Sequence, residues 1–405
     1  MAVAGLRGTG DWGTDERPKN FREMILWRNP NGNAPLTALM SKMRSETTDD
    51  PEFSWWEEEL NPVRLQVNGA ITTTTYTTIT VDNGDAQDLV PGDLLMVEAA
   101  AGTSYTIELL EVTQVNSATQ IIVARGAANT TAATIADNAY LLKVGSSFEE
   151  GTGAPNASTR NPTKNFNYTQ IFKTTYRLTN TAAATRARTG DPLKNDKKRK
   201  MFDHSAALEQ AFLFGSRFEG TGSTNSKPQR YTGGLYFFLT NAYNATTAPT
   251  IKTIASNTTT GESDFLDATY QVFDYNSDLS GNERLVLCGN GFLNYLNKWA
   301  KDFGSTRINY DGIVDVFGMN LQRWVIPQGT FYVRTHPLMN INTRFTNSAF
   351  IIDPAGMRYR PLKGRDTKFK DNIQNPDADE MKGQWLTEAG VEFHHLKGMR
   401  YIAVE

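Results

Sequence analysis

The densest run of chemically capable side chains is Trp55-Trp56-Glu57-Glu58-Glu59. Glycosidases set paired carboxylates beside aromatic platforms, so indoles next to glutamates suggest a sugar groove with a general acid. The spacing argues against that chemistry. Adjacent carboxylates on a strand or helical turn point to different faces, and no second acid stands at a defined distance to complete a pair. A contact role fits better, with alternation presenting one Trp to the chain's own core and the other to a neighbouring molecule.

A second cluster, Lys194-Asn-Asp-Lys-Lys-Arg-Lys200, places five cations (Lys194, Lys197, Lys198, Arg199 and Lys200) in the first turns of an expected helix. That is the end where the helix dipole disfavours positive charge. One reading is a solvated face, the usual fate of a charge run. The sharper one is that an acidic partner offsets the misfit. Glu57, Glu58 and Glu59 of an adjacent copy are the candidate, with nucleic-acid phosphate as competitor.

Other motifs fail on chemistry. Asp274-Tyr-Asn-Ser-Asp278 begins like a calcium loop, but Leu279 stands where the turn glycine is needed and Leu285 where the bidentate acid belongs. His394 and His395 are neighbours in an expected strand, so they face opposite ways and cannot share a metal, while His204 and His336 stand apart. Gly220-Thr-Gly-Ser-Thr-Asn-Ser-Lys227 lacks the Gly-Lys-Ser/Thr ending of a phosphate loop and reads as a flexible connection. Cys288, in Arg284-Leu-Val-Leu-Cys288, reads as a buried strand position with no base beside it. No catalytic residue, metal site or cofactor is expected, and the chain is not an enzyme on this reading.

The elements that must position these residues follow from pattern. With 405 residues the chain exceeds one ordinary core, and its charge of −3 supplies no basic field for gripping DNA. No apolar run is long enough for a secretion signal or a membrane span. In residues 1–51 two short helices are expected, Asn20–Trp27 and Pro35–Met43. Leu36, Leu39, Met40 and Met43 recur there at helical spacing, a stripe that must be buried against the rest of the chain or a neighbour. Residues 66–145 carry few charges and many Thr and Ala. Strands are expected at Thr77–Val81, Leu94–Val97, Tyr105–Val115, Gln120–Ala124 and Tyr140–Val144, a small barrel or sandwich.

After a polar linker, Phe166, Tyr168, Ile171 or Phe172, Tyr176 and Leu178 alternate with polar residues in one long strand. A helix follows, with Asp191 suited to the N-cap, Pro192 to its first position, Met201, Leu208, Ala211 and Phe212 as its stripe, and Gly215 as its stop. Residues 233–333 mix helices (Asp264–Tyr275, Gly289–Phe303) and strands (Leu285–Cys288, Met319–Val325, Thr330–Arg334) in an α+β unit of antiparallel character. The last part gives strands Phe350–Asp353, Val391–His395 and Tyr401–Val404, with a charged excursion at Lys363–Lys382.

The junction of strand and helix, Asn167-Tyr-Thr-Gln-Ile-Phe172 onward, resembles the major capsid proteins of tailed bacteriophages with the Hong Kong phage fold. The likeness is to a family carrying an Asn-x-Thr-Gln-Ile-Phe strand before its backbone helix. Pro35-Leu-Thr-Ala-Leu39, Phe53-Ser-Trp-Trp-Glu-Glu-Glu-Leu60, Glu149-Glu150-Gly151, Val123-Ala-Arg125-Gly126 and Arg230-Tyr-Thr-Gly-Gly-Leu235 are similar to further segments of that family. The resemblance implies an N-terminal arm (1–51) and an extended loop (52–188) carrying an inserted all-β domain (66–145). It also implies a peripheral domain (189–232 and 341–405) and an axial domain (233–340).

It implies, too, a structural subunit that self-assembles as hexamers and pentamers into an icosahedral head enclosing double-stranded DNA without sequence-specific binding. A portal, a separate scaffold protein and decoration proteins are the implied partners, and the virion, assembled in the host cytoplasm, the implied location. The competing readings are a carbohydrate-binding phage-tail or surface adhesin, favoured by Thr-rich strands and paired Trp, and a glycan hydrolase using Glu57–Glu59.

Overall fold

The computed structural model describes residues 45–58, 63–82, 85–98, 108–157, 162–185, 190–241, 251–254, 261–274, 282–302, 310–316 and 319–405. The expected helices at 20–27 and 35–43, the start of the strand at Tyr105, and Glu59 lie outside them. The chain divides into two compact units, one formed by the residues up to Trp55 with Asn165–Glu405, the other by Trp56–Lys164. Strands β1 (Glu52–Glu57) and β8 (Thr163–Tyr168) carry the chain out of the first unit and back, and pair with each other.

The smaller unit is a six-stranded sheet of β2 (Arg64–Gln66), β3 (Thr78–Thr80), β4 (Asp93–Glu98), β5 (Leu109–Ser117), β6 (Gln120–Ala127) and β7 (Tyr140–Ser146), in the order β2-β7-β4-β5-β6-β3. Alternation builds it: in β4, Asp93, Leu95 and Val97 point inward and their neighbours outward. The Val67–Val81 bridge, with Asn68 N donating to Thr80 O at 2.9 Å and Asp82 N to Gln66 O at 2.9 Å, ties the first strand of that order to the last. The sheet therefore closes on itself, leaving no free edge there. Leu65, Ile79, Leu95, Leu110, Val112, Ile121 and Leu141 fill its interior with no exposure.

One charged pair is sealed inside this unit. Arg125 forks onto Glu108, Nε to Oε1 at 2.7 Å and Nη2 to Oε2 at 2.8 Å, with side chains only 6% and 1% exposed. The Ala133 and Gly126 amides also donate to that carboxylate, and Arg125 Nη1 reaches Tyr76 O at 3.2 Å. Burial pushes the Glu108 carboxyl up, but the guanidinium and the two amides outweigh it and hold the group below its ordinary value. Gly126 follows because its φ is +66° and a Cβ would meet Thr130 O at 2.7 Å. The Arg125-Gly126 pair that carried part of the resemblance is thus a structural pin.

The larger unit holds two main sheets. In the first, β9 (Gln170–Thr179) pairs along its whole length with β20 (Glu380–Phe393), which also pairs β18 (Met357–Pro361) and β19 (Lys368–Lys370). The second is seven-stranded: β12 (Ile251–Ile254), β21 (Arg400–Val404), β17 (Ser348–Ile352), β13 (Glu283–Cys288), β16 (Gly329–Thr335), β15 (Met319–Ile326) and β14 (Tyr310–Val316). It is mixed rather than antiparallel, because β12 runs parallel to β21 and β13 parallel to β16. Parallel neighbours need a crossover, and the helix Asn290–Asp302 follows β13 directly. The sheet also draws strands from both sides of position 340, since β17 and β21 lie inside it.

The long helix spans Pro192–Phe214, with the Asp191 carboxylate accepting from the amides of Leu193 and Lys194, Pro192 in its first turn and Gly215 at its end. It packs on β9 through Leu208, Phe212 and Leu213. Other expectations shift. The single strand 166–179 is broken at Thr169, whose amide turns to Pro51 O at 2.8 Å as the chain changes partner from β1 to β20. Met201 is 54% exposed, and His204 takes the buried position on that helix face.

The connection at 216–232 is a paired hairpin, β10 (Phe218–Thr221) with β11 (Pro228–Tyr231). The end of the charged excursion and the expected strand 391–395 are parts of one strand, β20, which stops before His394. His395 then adopts a left-handed conformation with φ 53°.

Replacing Arg125 with Met should leave Glu108 buried without its counter-charge and destabilise the smaller unit by about 3–5 kcal/mol. Because the Glu108 carboxyl is held low, the wild-type contribution is present above the unfolded value of about 4.3 and lost as pH falls through the depressed folded value. Hydrogen exchange at β5 and β6 amides measures both effects. Unchanged exchange in R125M, or no acid loosening in the wild type, would count against the pin.

Candidate assembly surface

The geometry around the expected contact residues starts from Asn167, which is fully buried although the alternation singled out its apolar neighbours. Its Nδ2 donates to Val391 O at 2.7 Å, Gly233 O at 3.0 Å and Thr232 Oγ1 at 3.3 Å. Its Oδ1 accepts from Gly233 N at 2.8 Å and Tyr168 N at 2.9 Å. One amide therefore joins the end of β8, the segment entering the helix Leu235–Asn241, and β20. Next along the chain, Gln170 Oε1 accepts from Thr232 N at 3.1 Å and Thr169 lies against Glu388, itself paired with Arg365. Gly234 is forced by the same crowding, since a Cβ would meet Ala211 O at 2.6 Å and Gly215 N at 2.7 Å.

The basic start of the long helix is offset largely from within the chain. Lys197 Nζ lies 3.2 Å from Asp371, Lys200 Nζ 3.2 Å from Asp203, and Lys194 and Arg199 each 4.0 Å from Asp191 and Asp196. Tyr176 OH donates to Asp371 at 2.6 Å, Tyr176 stacks on Phe369, Phe369 meets Trp385 at 4.8 Å, and the Lys197 ammonium sits over the Tyr176 and Phe369 rings. The Tyr176 hydrogen bond, with Lys197 beside it, holds Asp371 below the usual carboxylate range. Burial pulls Lys197 down, but Asp371 and Tyr176 outweigh it and leave it raised. The partner expected from a neighbouring molecule is, for Lys197, an aspartate on the loop after β19. Lys198 stays on the exposed face of the helix.

The tryptophans part company. Trp55 is 6% exposed, stacked on Phe53 and close to Phe238 and His394, so it is committed to the chain's own core. Trp56 is 63% exposed, and Glu58 is exposed next to it. Of the expected contact residues, Trp55 is therefore withdrawn, while Trp56, Glu57, Glu58, Lys194, Lys198 and Arg199 remain at the surface or partly so.

Groups capable of chemistry turn inward. His204 bonds Thr174 and Thr387 at 3.1 and 2.8 Å, and burial lowers its pKa, keeping it neutral. His336 accepts the Leu338 amide on Nδ1 and so presents its Nε2 hydrogen to Glu209 at 2.7 Å, both side chains fully buried. Burial pushes the Cys288 thiol up to about 12. Among the described residues no three metal-binding side chains converge.

A family model described as SU10 major capsid protein matches residues 6–404. The chain belongs to the SU10 major capsid protein family. A relative in Pseudomonas phage PaMx41, named as a major capsid protein, is 27% identical over 354 residues, covering 87% of this chain and 80% of its own. Among solved structures, the capsid of a native GTA particle aligns at TM-score 0.48 with 9% identity, covering 99% of both chains. A chain from Mycobacterium phage Bobi aligns at 0.47 with 10% identity, covering 97% of both.

Sequence reasoning missed the buried polar hubs of this SU10-family chain, Asn167 and the His336–Glu209 pair. Alternation held no signal for Asn167, because it assigns the inward positions to the neighbouring Phe166 and Tyr168. Asn167→Ala should strand the Gly233 amide and the Gly233 and Val391 carbonyls and cost about 3 kcal/mol or more. Urea denaturation of the purified subunit tests this, and a loss under about 0.5 kcal/mol would show that the hub is dispensable.

Proposed function

We propose that many copies of this chain close into an icosahedral head of the Hong Kong phage type, enclosing packaged double-stranded DNA. The function itself, major capsid protein of a tailed phage, follows from family membership, and the match over residues 6–404 is the observation that carries it. The physical reading agrees, because His204, His336 and the thiol serve the core and a charge of −3 supplies no basic field for gripping DNA. Among the described residues no helix is long and apolar enough to cross a membrane.

In this reading residues 1–51 are the arm and 52–188 the extended loop, whose inserted domain is the closed β-sheet unit. Residues 189–232 and 341–405 form the peripheral domain around the long helix. Residues 233–340 form the axial domain, whose sheet is completed by β17 and β21. Hexamers and pentamers are the assembling units, with a portal, a separate scaffold protein and decoration proteins as partners. Assembly takes place in the host cytoplasm and ends in the virion. Trp56, Glu57, Glu58 and Glu59 of one copy meet Lys194, Lys198 and Arg199 of the next. The exposed Trp anchors the contact, and the charges set its register.

Co-expression with the scaffold protein and negative-stain electron microscopy should give closed shells or hexamers and pentamers. Strictly monomeric or trimeric material would overturn the reading. Trp56→Ser combined with Lys198→Glu should leave the subunit folded by circular dichroism yet reduce shell yield at least about tenfold, the effect of losing roughly 1.4 kcal/mol per contact. Normal shell yield would remove these residues from the contact.

A further inference from the structure

A net charge averages over the whole chain and hides a local excess. The sheet of β9, β20, β19 and β18 turns one face toward the long helix, through Phe172 and Tyr176 of β9, Trp385 of β20 and Phe369 of β19. Alternation sends the intervening side chains to the opposite face. The register lines them up across the strands: Lys173 with Leu386 and Lys368, Thr175 with Gln384 and Lys370, and Arg177 with Lys382. Five cations therefore share one face, and all but the half-buried Lys382 are exposed.

The fold leaves most of this charge unneutralised. Arg177 is bridged to Glu380 at 2.7 Å, and Glu388, also on this face, is held by Arg365. Lys368 Nζ donates to Gly364 O at 2.7 Å, and among the described residues Lys173, Lys370 and Lys382 form no ion pair. Arg177 and Lys382 stand directly opposite each other, an arrangement that costs a sheet stability. Folding gains nothing from such a face, which points to an anion outside the chain. We propose that it lies against the phosphate backbone of double-stranded DNA.

Three observations favour that occupant over an acidic protein. The face is built of Lys, Arg, Thr and Gln, the side chains that contact phosphate oxygens, whereas Lys is depleted from protein–protein interfaces. No aromatic side chain lies in these rows, and Ile171 at their end is the apolar exception. A protein contact would need a buried anchor, and a single strand would need stacking platforms. Finally, the dimensions fit a duplex. Lys173 and Arg177 are about 14 Å apart along β9, the axial advance of about four phosphates on one DNA strand, and Lys173 and Lys368 lie two strand spacings, about 10 Å, apart. Contacts of this kind read no bases, so the binding is independent of sequence.

That DNA is at hand rests on the shell reading, but the binding itself is measured on the full-length, unassembled subunit and stands even if shells fail to form. Fluorescence anisotropy of a short mixed-sequence duplex, titrated at several salt concentrations, is the readout. Four unneutralised lysines should make log K fall with log salt at a slope of about −3.6. Lys173→Gln, Lys368→Gln and Lys370→Gln combined should bring the slope to about −0.9 and weaken binding at low salt at least about tenfold, with the circular dichroism unchanged. Arg at the same three positions should bind as the wild type does. So should Lys194→Gln with Lys198→Gln at the start of the long helix.

No binding by the wild type at low salt would overturn the assignment. So would an undiminished slope in the folded Gln variant, or an equal loss in the helix-start variant. Tighter binding of polyglutamate than of the duplex would give the face to an acidic protein and overturn it as well.

Discussion

A single carboxamide, that of Asn167, sets the geometry on which the larger unit depends. A side chain with two donors and two acceptor lone pairs is saturated only if several backbone segments arrive together, and here three do. The amide fixes where β8 ends and so where β9 begins. β9 in turn aligns β20 along its full length, and the long helix lies on β9. An apolar residue of the same size would fill the space and leave those backbone groups unpaired, which explains why a polar side chain occupies a fully buried position.

Local chemistry made much of this legible in advance. Asp191 and Pro192 announce a helix start because capping involves only neighbouring residues, and strand alternation in 66–145 reports which faces are inward. The departures all involve distant partners. The break at Thr169 exists because Pro51 and Glu388 are waiting there, and the hairpin at 218–231 is stabilised by the Phe218–Tyr231 pair and the Arg230–Glu219 bridge across it. The start of β20, Glu380–Lys382, reads as the end of a charged excursion because its strand pairing is made with β9, far away in sequence. The parallel pairings of the large sheet are likewise invisible to any short window.

For the contact surface, residue types were legible and their partners were not. A cationic helix start is an electrostatic misfit on dipole grounds alone, but the sequence offers many acids, and which one folds back onto Lys197 is decided by the loop after β19. Trp55 and Trp56 differ in nothing but parity. Strand alternation says that one is buried, and only the aromatic bed of Phe53, Phe238 and His394 says which.

The pairing of β1 with β8 has an evolutionary consequence. Because the strands that leave for the smaller unit and return from it lie side by side, everything between them hangs from two adjacent chain ends. Such an attachment lets a module be lengthened, exchanged or reduced to a tight turn with little change in the loop-closure entropy that the remaining fold must bear. The Asn167 junction, where three backbone segments share one amide, has no such latitude.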